Sequence, residues 1–219
     1  MYIAIEGVIG VGKTTLALLL QPVFKANLLL EVFEENPFLS DFYSDRERYA
    51  FQTQIFFLLS RYQQQRRAVP HFLSTGEALV ADYTFEKDSL FARINLRGDE
   101  LDMYYRVHEA LAEKIPLPDI ILYLRADTDI LIQRIATRDR SYERNMERAY
   151  IDQLNLAYET HFGEKRDLDR PRLVPVLPID TNQLDYIRRP EDLKWVENRI
   201  RQVLKLSPFQ AELPIQVGD

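Results

Sequence analysis

The sequence predicts a three-layer α/β fold, with a mainly parallel sheet flanked by helices. Strand-like and helix-like patterns alternate along the chain, as they do when crossover helices join parallel strands. "PDIILYLRA", residues 118–126, is apolar at consecutive positions, so both faces of that strand must be covered. A glycine-rich turn separates the first apolar run from the first helix-like run.

The elements follow in order. "MYIAIEG" is a short buried strand that stops at glycine, and "KTTLALLLQPVF" has helical character until Pro22 weakens it. "NLLLEVF" reads as a second buried strand. Asn36 and Pro37 then make a helix start, with asparagine as N-cap and proline at the first helical position. A long helix is expected from about Asp45 to Arg67, because Phe51, Ile55, Leu58 or Leu59, and Tyr62 recur at steps of three or four. "ALVADYTF" is a third strand, and about Glu100 to Ala112 another helix. After "PDIILYLRA", Asp127 or Thr128 caps a helix through about Arg138. An arginine-rich connection leads to a helix from about Met146 to Phe162. "RLVPVLPID" is a last strand, which Pro175 and Pro178 mark as an edge or irregular one. "PEDLKWVENRIRQVLKL" closes the chain with an amphipathic helix. No repeat, low-complexity segment or linker divides the sequence, so one domain is expected over 1–206, followed by a tail at 207–219.

Composition narrows the function. The chain has 219 residues, enough for a substantial core. Its net charge of −6, from 34 acids and 28 bases, argues against broad nucleic-acid or membrane binding. The absence of cysteine removes disulfides, thiolate chemistry and zinc ribbons. No apolar run approaches the ~20 residues of a membrane span. The amino terminus lacks a basic leader, so a cytoplasmic location is expected.

Gly7-Val8-Ile9-Gly10-Val11-Gly12-Lys13-Thr14 fits G-x-x-x-x-G-K-[ST], between a strand and a helix. Its glycines let successive backbone N–H groups point at phosphate oxygens, and the helix amino end adds a positive dipole. Lys13 can reach the β- and γ-phosphates, and the Thr14 hydroxyl can ligate Mg²⁺. Neither N-K-x-D nor D-x-x-G is present, which argues against a GTPase. "QRIATRDRSYERNMER" supplies a basic lid at about 134–146: Arg134 and Arg138 lie four apart, with Arg140 two further on. Arginine's planar fork suits the charge on a moving phosphoryl group.

Beyond the phosphate loop, the ordered motifs "EVFEENPFLSDFY", "FQTQIFFLLSRYQQ", "VADYTFEKDSLFA" and "LYLRADTDILIQRIATRDR" resemble the deoxynucleoside kinase family, in particular its bacterial deoxyguanosine and deoxyadenosine kinases. The resemblance runs from about Tyr2 to about Tyr186. It implies a P-loop kinase fold with a five-stranded sheet, usually in a homodimer. The activity implied is ATP-dependent phosphorylation of a deoxynucleoside 5′-hydroxyl. Three carboxylates, Glu31, Glu34 and Glu35, compete for the role of general base. The family motif opens on Glu31, while Glu34 and Glu35 flank a helix start, where carboxylates are favoured.

The resemblance assigns further roles residue by residue. Arg138 and Arg140 act on the phosphoryl group. Gly7, Gly10, Val11, Gly12, Lys13, Thr14, Thr15 and Arg134 bind ATP, and Asp185 and Tyr186 approach its adenine. Thr14 and Asp82 serve Mg²⁺. Gln54 reads the base and Arg61 lies seven residues on along the same helix face. Asp88 contacts the base or orients Arg61, and Phe91 stacks near the base. Tyr43 and Glu143 meet the sugar 3′-hydroxyl. Two departures stand out. Tyr83 occupies the place of an arginine that follows the strand-end acid, which tilts the expected substrate toward deoxyguanosine. Asp139 occupies the place of a lid glycine, where it could change lid flexibility or repel phosphate. A nucleoside monophosphate kinase and a slow ATP-hydrolysing regulatory module are the competing classes.

Overall fold

The computed structural model describes residues 1–33, 35–144, 146–163 and 174–207. Five parallel strands form one sheet: β1 (Tyr2–Gly7), β2 (Ala26–Leu29), β3 (Ala78–Ala81), β4 (Ile120–Arg125) and β5 (Val176–Asp180), in the order β2-β3-β1-β4-β5. The helices are α1 (Lys13–Phe24), α2 (Leu39–Ser44), α3 (Arg46–Ser74), α4 (Lys87–Asn95), α5 (Gly98–Ala112), α6 (Thr128–Arg138), α7 (Arg148–Phe162) and α8 (Pro190–Val203). The α/β class and the five parallel strands expected from the sequence are present.

β1 is buried throughout and β4 from Ile120 to Leu124, as their apolar runs require. Alternation along β1 sorts its side chains. Ile3 and Ile5 join a core with Leu16, Ala17 and Leu20 of α1. Tyr2 and Ala4 pack with Val69 of α3 in a second cluster. β5 is an edge strand, so the missing N–H of Pro178 costs the ladder little.

Several elements differ from the sequence reading. α1 runs through Pro22 and stops at Lys25, whose φ of 49° is left-handed. β2 ends at Leu29 rather than Phe33. Beyond it the Glu31 N–H donates to the Asp82 carboxylate (2.8 Å) instead of a neighbouring strand. β3 ends at Ala81 for the matching reason, since Asp82 faces that linkage. Asn36 does not cap a helix. Its Oδ1 accepts from the Phe38 N–H (3.0 Å) and its Nδ2 donates to the Thr53 carbonyl (3.2 Å), and α2 begins only at Leu39. Asn36 is therefore a buried tether between this turn and α3. α3 begins at its Asp45 cap but continues to Ser74, with Pro70 accommodated in its last turns. α4 was not anticipated: nine residues after a strand end carry a weak periodic signal.

The strand carboxyl ends all face one way, and the chain leaves β1 in a tight turn. Gly7 has φ +148°, and a Cβ there would lie 2.3 Å from the Leu124 carbonyl oxygen and 2.9 Å from Val11. Backbone cannot yield as a flexible side chain can. Gly7→Ala is expected to destabilise the fold by at least ~2 kcal/mol, the scale of overpacking a close-packed interior, and chemical denaturation of the two proteins measures it.

Candidate active site

The strand ends open into a cleft of about 930 Å³, open to solvent. It lies at the place where open α/β sheets bind ligands. Gly10, Gly12, Lys13, Thr14 and Thr15 form one wall. Glu31, Tyr43, Gln54, Arg61, Asp82 and Phe91 line the remainder, and Arg138, Arg140 and Glu143 close over it. The structure thus brings together residues spread from 10 to 143.

The phosphate-loop wall is preorganised. Gly12 has φ +102°, a left-handed backbone suited to glycine, and a Cβ there would sit 2.9 Å from the Tyr186 hydroxyl. Lys13 Nζ turns back onto the Gly7 and Val8 carbonyls (2.6 and 3.2 Å). Burial and the nearby charge of Lys87 push its pKa down to about 8. The Thr14 hydroxyl donates to Asp82 Oδ2 at 2.5 Å, so a hydroxyl and a carboxylate sit side by side on the loop. Behind the loop, Glu6 is fully buried. It accepts from the Thr84 N–H and hydroxyl (2.5 and 2.8 Å), the Tyr158 hydroxyl (3.2 Å) and the Gly7 N–H (3.3 Å). Burial raises its pKa, partly offset by Lys87 and Lys13.

The opposite wall is built on a charge cluster. Arg61, in the middle of α3, donates to Glu31 through Nε (3.1 Å) and an Nη, and through its other Nη to Asp88. Lys87 Nζ donates to the second Glu31 oxygen at 2.5 Å. Burial alone would raise the pKa of Glu31. Arg61 and Lys87 outweigh it and hold the carboxyl well below the usual carboxylate range. Glu34 lies outside the described residues, and Glu35 is exposed. Gln54 is buried on the same side of α3 as Arg61. Beside it the Thr53 hydroxyl is buried with no hydrogen-bond partner, as is Asp88 Oδ2 next to Arg61.

Tyr43 stacks on Tyr142 with ring centroids 6.0 Å apart. Burial first, then the charges around it, Glu143 among them, raise its pKa well above the ordinary tyrosine value. Over the cleft, Glu143 is buried, accepts from Arg138 at 2.5 Å and lies 3.8 Å from Arg140. The Arg140 guanidinium sits 4.1 Å from the Phe33 ring centroid. Asp139 is turned elsewhere. It ends α6 at φ 50°, a left-handed conformation aspartate tolerates, and its carboxylate is gripped by Arg144 (2.7 and 2.9 Å). That pairing holds its pKa below the usual carboxylate value.

Three placements differ from the expected grouping. Tyr83 does not line the cleft. It is fully buried in the second core cluster, and its hydroxyl donates to Gln64 (2.7 Å), because alternation along the strand end aims it at α3. Arg134 does not join Arg138 in the cleft. It bonds the Val11 carbonyl and Thr181 (2.7–3.3 Å) and lines an adjoining groove with Gly12, Thr15, Asp185 and Tyr186. Asp88 stands behind Arg61, off the cleft surface. Lys87 is the residue the sequence reading missed. Its signal was the spacing of four to Phe91, which places both on one face of a short helix.

The chain matches the deoxynucleoside kinase family model over residues 3–205. It is 34% identical over 203 residues to deoxyguanosine kinase of Bacillus subtilis, covering 93% of this chain and 97% of that one. It is 33% identical over 187 residues to deoxyadenosine kinase of Dictyostelium discoideum, covering 83% and 73%. Among solved structures, deoxyadenosine kinase from M. mycoides with bound dCTP is similar at a TM-score of 0.76 and 26% identity, covering 92% of this chain and 100% of that chain. A match that begins in β1 and continues past α8 takes in every strand of the sheet, and the chain therefore belongs to the deoxynucleoside kinase family.

Proposed function

We propose that this deoxynucleoside kinase transfers the γ-phosphoryl of ATP to the 5′-hydroxyl of a purine deoxynucleoside, deoxyguanosine in preference to deoxyadenosine, in deoxynucleotide salvage. The observation that carries the reading is one cleft with the phosphate loop on one wall and Glu31 with Gln54 on the other. The triphosphate lies along Gly7–Thr15, with Arg134, Asp185 and Tyr186 around its base in the adjoining groove. The Thr14 hydroxyl and Asp82 carboxylate are hard oxygen ligands already in contact, and they fit Mg²⁺. Bound there, the ion would neutralise phosphate charge.

Glu31 accepts a hydrogen bond from the 5′-hydroxyl and takes its proton as transfer completes. Arg138 and Arg140 stabilise the charge on the moving group, which requires one or both to leave Glu143. Tyr43 and Glu143 hold the 3′-hydroxyl, and the aromatic walls, Phe91 among them, cover the base. Arg134 through residue 146 act as the lid of one domain over 1–206, and the family resemblance adds a cytoplasmic homodimer.

The Gln54 amide donates and accepts in one plane, which suits a purine edge. The free Thr53 hydroxyl beside it, which lines the cleft, is a buried polar group that a base with a matching partner can satisfy. Support for guanine comes from the deoxyguanosine kinase relative, and the deoxyadenosine kinase relative makes adenine the alternative.

Transfer of labelled phosphate from ATP and GTP to a panel of deoxynucleosides, ribonucleosides and monophosphates tests this. Deoxyguanosine is expected to give the highest kcat/KM, and a monophosphate as the best acceptor would overturn the reading. Glu31→Gln is expected to lower turnover by ~10²–10⁴-fold, the range of a lost general base, with ATP affinity nearly unchanged in a fluorescent-nucleotide titration. Unchanged turnover would remove Glu31 from the proton-accepting role. Lys13→Ala is expected to abolish transfer in a protein that still melts cooperatively, and near-normal activity would count against the phosphate-loop assignment.

A further inference from the structure

Tyr83 stands where the family resemblance leads one to expect an arginine, and its ring points out of the cleft into the core. Glu31 nevertheless has a second cation. Lys87 comes from the first turn of α4, five residues after Asp82, and donates to Glu31 Oε2 at 2.5 Å while Arg61 holds Oε1. Both side chains of the lysine pair are nearly buried, at 8% and 13% exposure. Burying an ammonium is costly, and an apolar side chain of similar length would fill the space without that cost. Space-filling therefore does not account for a lysine here; a cation is needed because Arg61 alone faces two carboxylates, Glu31 and Asp88. The other charged or titratable groups around Glu31 are Lys13 of α1, Asp82 and Tyr83 after β3, Tyr43 of α2 and Tyr158 of α7.

We infer that Lys87 is a positioning residue for phosphoryl transfer: with Arg61 it grips both oxygens of Glu31 and supplies from α4 the positive charge that a strand-end arginine would otherwise supply. The inference rests on the phosphoryl-transfer reading above. Three donors, two from Arg61 on Oε1 and one from Lys87 on Oε2, fix the carboxylate plane and leave a lone pair of Oε2 for the hydroxyl. Two cations also weaken Glu31 as a base. A loose transition state tolerates that, because the hydroxyl proton leaves late and orientation matters more than basicity.

The test compares Lys87→Met, Lys87→Gln and Lys87→Arg with the wild type by steady-state kinetics across pH. A carbon-13 NMR titration of glutamate carboxyls, with the Glu31 signal located by Glu31→Gln, accompanies it. Losing a cation that favours the charged form raises the pKa of Glu31, so the acid limb of kcat must move to higher pH. Lys87→Met is expected to lower kcat by about 10²-fold, the scale of a misplaced reacting group, with acceptor KM changed less than about threefold. Lys87→Gln is expected to follow it, and Lys87→Arg to recover most of the loss. A Glu31 titration that is the same in folded Lys87→Met or Lys87→Gln as in wild type overturns the clamp, and so does a wild-type kcat and acid limb. The titration needs no acceptor. A wild type that phosphorylates no deoxynucleoside would therefore refute the phosphoryl-transfer reading and the catalytic role built on it, while the titration judged the clamp by itself.

Discussion

Arg61 carries one positive charge between two carboxylates, Glu31 and Asp88, and Lys87 supplies the second cation that balances them. The four groups come from the end of β2, the middle of α3 and the first turn of α4. None could be buried alone, because an isolated ion in an apolar interior is prohibitively costly. Each therefore fixes the others. The cluster sets where the chain leaves β2, how α4 begins, and which side of α3 faces the cleft. Gln54 lies two turns before Arg61 on the same helix, so the charge cluster also places this amide at the cleft.

The sheet supplies the second constraint. Parallel strands put all their carboxyl ends on one edge, so the phosphate loop after β1, Glu31 after β2 and Asp82 after β3 must share it. Asp82 then joins the pieces. One of its oxygens takes the Glu31 N–H and the other takes the Thr14 hydroxyl. The loop and the Glu31 side of the cleft are thereby held in register by a single carboxylate, and β2 is shortened to allow it.

The segment from the end of α6 onward is held differently, by ion pairs among its own residues. Arg138 and Arg140 share Glu143, while Arg144 takes Asp139. The exposed Arg144–Asp139 pair contributes little stability, whereas the Glu143 end of the other two is buried. The Asp139 charge is matched by Arg144 and lies off the cleft.

The sequence by itself determined whatever depends on neighbours along the chain. The parallel-sheet pattern, the Gly7–Thr14 loop between strand and helix, and the Asp45 helix start are all local, because each uses residues within a few positions of one another. It also indicated that Glu31 differs from Glu35, which remains exposed at the following turn. The tertiary structure alone decided what depends on distant partners. Asn36 carries the composition of a helix cap, yet Thr53 draws its side chain away. Tyr83 is one position from Asp82, yet strand alternation and the α3 surface turn it into the core. Lys87 looks like an ordinary solvated lysine until Glu31, 56 positions earlier, is folded against it. A charge's role is set by the dielectric and the counter-charges around it, and those exist only once the chain is packed.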